Sequence, residues 1–167
     1  MDGRLMGAAP TAPAAPYYDA LETRDLAARE SALMAALPLQ LANARDHTDA
    51  FAELLDGHDL AAVSSRAALA TLPVTRKSAL LARQQSMRAL HPDEPFGGFS
   101  PIGWTGLRRN SGARRVFQSP GTIYEPEGPG RDYSRMGRAL HAAGLRAGEL
   151  VHNSFSYHLT PAGAMME

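Results

Sequence analysis

The spacing of apolar side chains divides the chain into a helical front half and a mixed back half. Over residues 26–55, Leu26, Leu33, Leu37, Leu41 and Ala44 recur at intervals of three, four and seven, which puts them on one helical stripe. Thr23 is the expected N-cap, with Asp25 in the first turn. Pro38 falls inside the run and is expected to kink or break it, because proline removes a helical hydrogen bond and crowds the preceding turn. A second short helix over 49–55 should end at Gly57. Ser65 then caps a short helix stopped by Pro73, and Thr75 caps another that runs to about residue 87.

The pattern changes at residue 91. Five glycines and three prolines, with Phe96, Phe99 and Trp104, make 91–112 a long irregular loop. Such loops are uncommon in compact domains unless functional or mobile; these aromatics either line a site or pack the loop onto the body. R-R-V-F-Q-S at 114–119 then reads as a strand, and 120–130 as a Gly/Pro-rich turn. Residues 132–143 read as a helix capped by Asp132 and stopped by Gly144, with Met136, Leu140 and Ala143 facing inward. A further strand is expected over 149–154. Strand, crossover helix and strand make a βαβ unit, which implies a parallel sheet. Thr160 and Pro161 form a helix start.

The expected class is therefore α/β, with a helical N-terminal region followed by the first βαβ unit of a larger parallel-sheet domain. The division is a disordered tail over 1–16, a helical region over 17–90, an irregular loop over 91–113, and the start of an α/β domain over 114–167. Two parallel strands would leave edges and faces open, so the sequence reads as the front piece of a larger protein, prone to self-association through those edges.

Composition narrows the chemistry. The 167 residues carry 17 basic and 17 acidic side chains, a balance that disfavours a dedicated nucleic-acid binder. No apolar run is long enough to span a membrane, and no secretory signal precedes the first helix, so the expected location is the cytoplasm. Cysteine is absent, which removes thiolate metal sites and a cysteine nucleophile. Alanine occurs 30 times, which suits helices, and Lys77 is the only lysine.

Two segments hold the candidate site residues. Ser119, Gly121, Thr122 and Glu125 lie in the turn after the first strand, where small hydroxyl-bearing residues can wrap a phosphate with backbone N–H groups. An ordinary turn is the alternative, since the P-loop spacing is absent. Asn153, Ser154, Tyr157 and His158 follow the second expected strand, the end at which open α/β sheets build sites. His152 and His158 have no carboxylate at ligand spacing, so no metal site is expected. Arg108, Arg109, Arg114 and Arg115 form a basic cluster, read as a solvated face or a coenzyme-phosphate attractor.

Residues 17–167 resemble the N-terminal part of phenylacetate–CoA ligases and their relatives in the adenylate-forming superfamily. The resemblance rests on Y-Y-D-A-L-E-T-R, on L-A-T-L-P-V-T-R-K-S-A-L, and on A-L-H-A-A-G-L-R-A-G-E-L-V-H-N-S-F-S-Y-H-L-T-P-A-G. It implies ATP, Mg²⁺ and coenzyme A, with a carboxylic acid activated as acyl-AMP and passed to the coenzyme's thiol. It implies an acyl pocket near Asn153, Ser154, Phe155, Tyr157 and His158. The family's phosphate loop, S-S-G-T-T-G-K-P, is matched by Ser119, Gly121, Thr122 and Pro126, whereas Pro120, Ile123, Tyr124 and Glu125 depart from it. Glu125 stands where the family has lysine; at about 4 Å and an effective dielectric of about 20, reversing a charge costs roughly 4 kcal/mol each way. Two readings follow. The chain is the front of an acid–CoA ligase, without catalytic residues of its own and inactive alone. Alternatively it is a non-catalytic relative whose degenerate loop leaves an acyl- or protein-binding module. Lys77, at a helix start, is expected to cap or to lie on the surface.

Overall fold

Asp25, not Thr23, opens the first long helix. Its Oδ1 accepts the Ala28 N–H at 2.7 Å, while Thr23 closes a 3₁₀ turn over Ala20–Thr23. The computed structural model describes residues 16–102 and 112–167; the expected tail lies outside them except for Pro16. Helix α1 (Leu26–His47) runs through Pro38 without a break. Proline forfeits one bond to the Met34 carbonyl, and an Ala/Leu-rich ladder of 22 residues continues on either side. The Thr48 hydroxyl then serves two helices. It donates to the Ala44 carbonyl at 2.8 Å and accepts the Phe51 N–H at 3.3 Å, closing α1 and opening α2 (Asp49–Leu54).

The expected α1 stripe is only partly used. Leu37, Leu41 and Ala44 are half-buried, whereas Leu26 and Leu33 stay exposed. α1 packs on α2 and on a 3₁₀ turn over Leu60–Ala62, where Ala50, Leu55, Leu60 and Val63 make the front core. Ser65 caps α3 (Arg66–Leu69) through the Ala68 N–H at 3.1 Å, as expected, and Arg66 grips Glu30 of α1 with two bonds of 2.6 and 2.8 Å. Helix α4 (Lys77–Leu90) begins at Arg76 without a side-chain cap, so Thr75 does not play that part.

The aromatic loop supplies core. Phe96 is fully buried and Phe99 meets Phe51 edge-on at 5.6 Å, so these two aromatics pack the loop onto the body. Trp104, Arg108 and Arg109 lie outside the described residues.

The back half departs from the expected topology. Strand β1 (Arg115–Ser119) pairs antiparallel with β2 (Ile123–Glu127), in a register that sets Ser119 against Ile123 and Arg115 against Glu127. The class of mixed helix and strand holds, but no parallel βαβ unit is present among the described residues. The stretch expected as a strand, 149–154, contains none, and Leu150 and Val151 are exposed. β2 already occupies one edge of β1. The other edge takes a single bond, from the Gln118 N–H to the Leu159 carbonyl at 2.8 Å.

α4 and β2 are joined by one buried side chain. Gln84 Nε2 donates to the Tyr124 carbonyl at 2.9 Å and Oε1 accepts the Tyr124 N–H at 2.8 Å. Gly97 closes over it; a Cβ there would lie 3.0 Å from Gln84 Cγ, on a backbone with φ +66°.

Helix α5 (Met136–Ala142) is shorter than expected. Its N-cap position is held by Arg135, in the left-handed region at φ +57°, and not by Asp132, which lies a turn earlier and accepts the Gly137 N–H at 3.1 Å. α6 (Ala162–Met165) follows Pro161. The segment 18–22 straps α5: Arg138 binds Asp19 at 2.6 and 2.9 Å and Glu22 at 3.1 Å, and lies over the Tyr18 ring. No helix among the described residues is long and apolar enough to cross a membrane.

Gln84→Leu strands the Tyr124 N–H and carbonyl, with an expected loss of about 2–4 kcal/mol in urea unfolding. A loss under about 0.5 kcal/mol would show that the amide carries no such load. A second prediction concerns the strap. The Arg138 hydrogen bond holds the Asp19 carboxyl below its ordinary value of 3.8. A depressed folded pKa contributes stability above the unfolded value, and that contribution is lost as pH falls through the folded one. Near-UV circular dichroism should therefore show acid unfolding of the strap below pH 3.8 in wild type. Asp19→Asn should reduce that pH dependence, with Glu22 still paired to Arg138; an unchanged acid profile would contradict the assignment.

Candidate functional site

The residues first read as a phosphate loop form the tip of the β1–β2 hairpin. Pro120 and Gly121 occupy the middle of the turn, Gly121 has φ +104°, and the Thr122 N–H reaches the Ser119 carbonyl at 3.0 Å. Proline followed by a positive-φ glycine is the type II arrangement. Thr122 itself is left-handed, with φ +62°. Both hydroxyl hydrogens are spent locally: Ser119 donates to the Ile123 carbonyl at 3.5 Å and Thr122 to the Gly121 carbonyl at 2.7 Å. Ser119, Gly121 and Thr122 thus lie together at the turn, while Glu125 sits along β2, exposed and opposite Phe117.

Lys77 lies exposed at the start of α4, in line with its expected surface position, and it also reaches the turn, a contact the sequence reading did not foresee. Its Nζ donates to the Pro120 carbonyl at 3.3 Å, and a Cβ built on Gly121 would find Lys77 Cε as its nearest neighbour, at 3.9 Å. An ammonium has three donors, so after this bond two remain beside the open face of Gly121. Lys77 and Pro120 are 43 positions apart, beyond any local pattern. The available signal was that the only lysine of the chain stands in the L-P-V-T-R-K stretch.

The second candidate segment is a closed loop. Asn153 Nδ2 donates to the Tyr157 hydroxyl at 2.7 Å and the Gly163 carbonyl at 2.9 Å, and its Oδ1 accepts the Phe155 N–H at 3.1 Å. The Gly163 N–H returns to the Ser156 carbonyl at 3.0 Å. Asn153 and Tyr157 are therefore brought together, and the Leu159–Gln118 bond sets this loop beside the residue that precedes Ser119. Ser154, Phe155 and His158 are exposed on it rather than gathered at a strand end, because no strand precedes them. An apolar groove of about 600 Å³ lies beside the start of α4, between Val74, Thr75, Ser78, Leu54, Ala50 and Phe99.

At the turn, the Lys77 ammonium beside Gly121 is a cationic donor that an anionic oxygen could meet. Among the described residues no three His, Asp or Glu side chains converge on a metal position. Comparison with protein families, curated proteins and solved structures found no match to this chain.

The closed loop is directly testable at Gly163, where a Cβ would stand 2.5 Å from the Ser156 carbonyl oxygen. Gly163→Ala should leave the α1–α4 core intact and speed amide exchange across 153–163 at least tenfold, about 1.4 kcal/mol of local stability. Unchanged exchange there would refute the packing.

Proposed function

We propose that this chain is the N-terminal part of an adenylate-forming acid–CoA ligase of the phenylacetate–CoA ligase type. The turn and Lys77 form the phosphate side and the 153–163 loop lies toward the acid. The hairpin and the stretch at 149–161 would belong to a larger parallel-sheet domain. The observation that carries this reading is the position of Lys77. The loop has lost its own cation to Glu125, and the chain's only lysine, delivered from α4, donates to the same turn. At about 4 Å and an effective dielectric of about 20, one such ammonium contributes roughly 4 kcal/mol toward a phosphate, the size of the penalty from Glu125.

ATP with Mg²⁺ supplies the activating adenylyl group, and coenzyme A receives the acyl group. Lys77 would hold phosphate oxygens over Gly121, and the type II turn would keep the backbone close to them. Asn153 would fix the Tyr157 ring at the edge of the acid site. Glu125 favours the second reading, a relative that binds acids without consuming ATP.

Acid-dependent ATP–pyrophosphate exchange, measured on the protein expressed from its own gene with a panel of aryl and acyl carboxylates, separates the two. Exchange that falls about 10- to 100-fold in Lys77→Met supports the ligase reading. Acid binding without exchange supports the module, and absence of both overturns each.

A further inference from the structure

The base of the hairpin, at the end away from the turn, borders an open pocket of about 380 Å³ with a mixed polar and apolar lining. Its floor is Glu127, only 8% exposed. The Glu127 carboxylate lies 3.7 Å from Arg115 and 3.9 Å from Arg114, too far for a hydrogen bond to either. A carboxylate this buried normally has its acceptor sites filled by donors. At the rim, Arg131 is exposed and has no ion-pair partner among the described residues. The Arg114 side chain is 56% exposed.

Two tyrosines form the walls and are already fixed. The Tyr133 ring rests on Gly128, where a Cβ would lie 2.8 Å from Cε2. Tyr18 is held by Arg138 at 5.0 Å and by His141 edge-on at 5.7 Å. Positive Arg114, Arg115 and Arg131 balance negative Glu127, Asp132 and Glu167, so the lining is neutral overall; Glu127 is buried, whereas Arg114, Arg131, Asp132 and Glu167 are exposed.

We propose that this cavity binds a zwitterionic amino acid. The ligand's ammonium donates to Glu127, its carboxylate takes the forked guanidinium of Arg131, and its side chain lies between Tyr18 and Tyr133. A ligand with a single charge leaves one end of the cavity unanswered, whereas a zwitterion meets both. Preordered walls lower the entropic cost of binding. This proposal stands apart from the ligase reading.

The test is an NMR titration of the chain with glycine and L-phenylalanine, with acetate and methylammonium as single-charge controls. The Gly128, Gly130 and Gly137 amides and the Arg131 guanidinium should shift together. Both amino acids should bind at least about tenfold tighter than either control. Glu127→Gln should weaken the amino acids about tenfold and leave acetate unchanged. Arg131→Ala, at an exposed position that does not threaten folding, should weaken amino acids and acetate alike. Equal affinity for amino acids and acetate, or no shift at these residues up to about 10 mM, overturns the proposal and leaves a structural ion-pair cluster.

Discussion

The Gln84 carboxamide stands where a neighbouring strand would stand, answering both the N–H and the carbonyl of Tyr124 from inside the protein. Two backbone groups at the edge of β2 are thereby satisfied without a third strand, and a helix is joined to a hairpin at a fixed height. Lys77 precedes Gln84 by seven residues, two helical turns, so both project from one face of α4. That separation is about 10 Å along the helix. From Tyr124 back to Pro120 the chain covers about 13 Å at most. Anchoring Tyr124 on Gln84 therefore brings the turn over Lys77. Arg88, four residues further on, stacks on the Tyr124 ring at 4.7 Å and closes the same face.

This arrangement changes the electrostatics of the turn. Read along the chain, Glu125 places a negative charge just beyond the turn. In three dimensions the ammonium comes from another element, and Glu125 points outward from β2. The turn is too tight to encircle a triphosphate, with its hydroxyl hydrogens already used inside it. What it offers is one glycine face and one lysine. The tie from Gln118 to Leu159 then sets the Asn153–Gly163 loop beside this turn, so both candidate segments flank β1.

Much of the helical half was legible because caps and stops act locally. Ser65 and Gly144 announce themselves within four residues of their partners. α1 was harder: its period is helical, but period does not say whether a stripe finds a partner, and Leu26 and Leu33 find none. The cost of Pro38 was legible and its outcome was not, since one lost bond competes with a whole ladder. In the back half Ser119-Pro120-Gly121-Thr122 carried a type II signature, and I-Y-E-P-E after it contained a second strand. Pro126 and two glutamates disguised that strand, which survives because Pro126 sits in a two-stranded hairpin with an unpaired outer side. Lys77 and Gln84 owe their roles to contacts 43 and 40 positions away, which no local spacing encodes.

The central claim is that Lys77 and the hairpin turn form one phosphate-binding unit. The most direct measurement follows the Lys77 side-chain ammonium with the Gly121 and Thr122 amides by NMR while ATP and Mg²⁺ are added. The account predicts that all three shift together along one saturation curve. ATP binding that leaves Lys77 unmoved, or that shifts other residues and spares the turn, would contradict it.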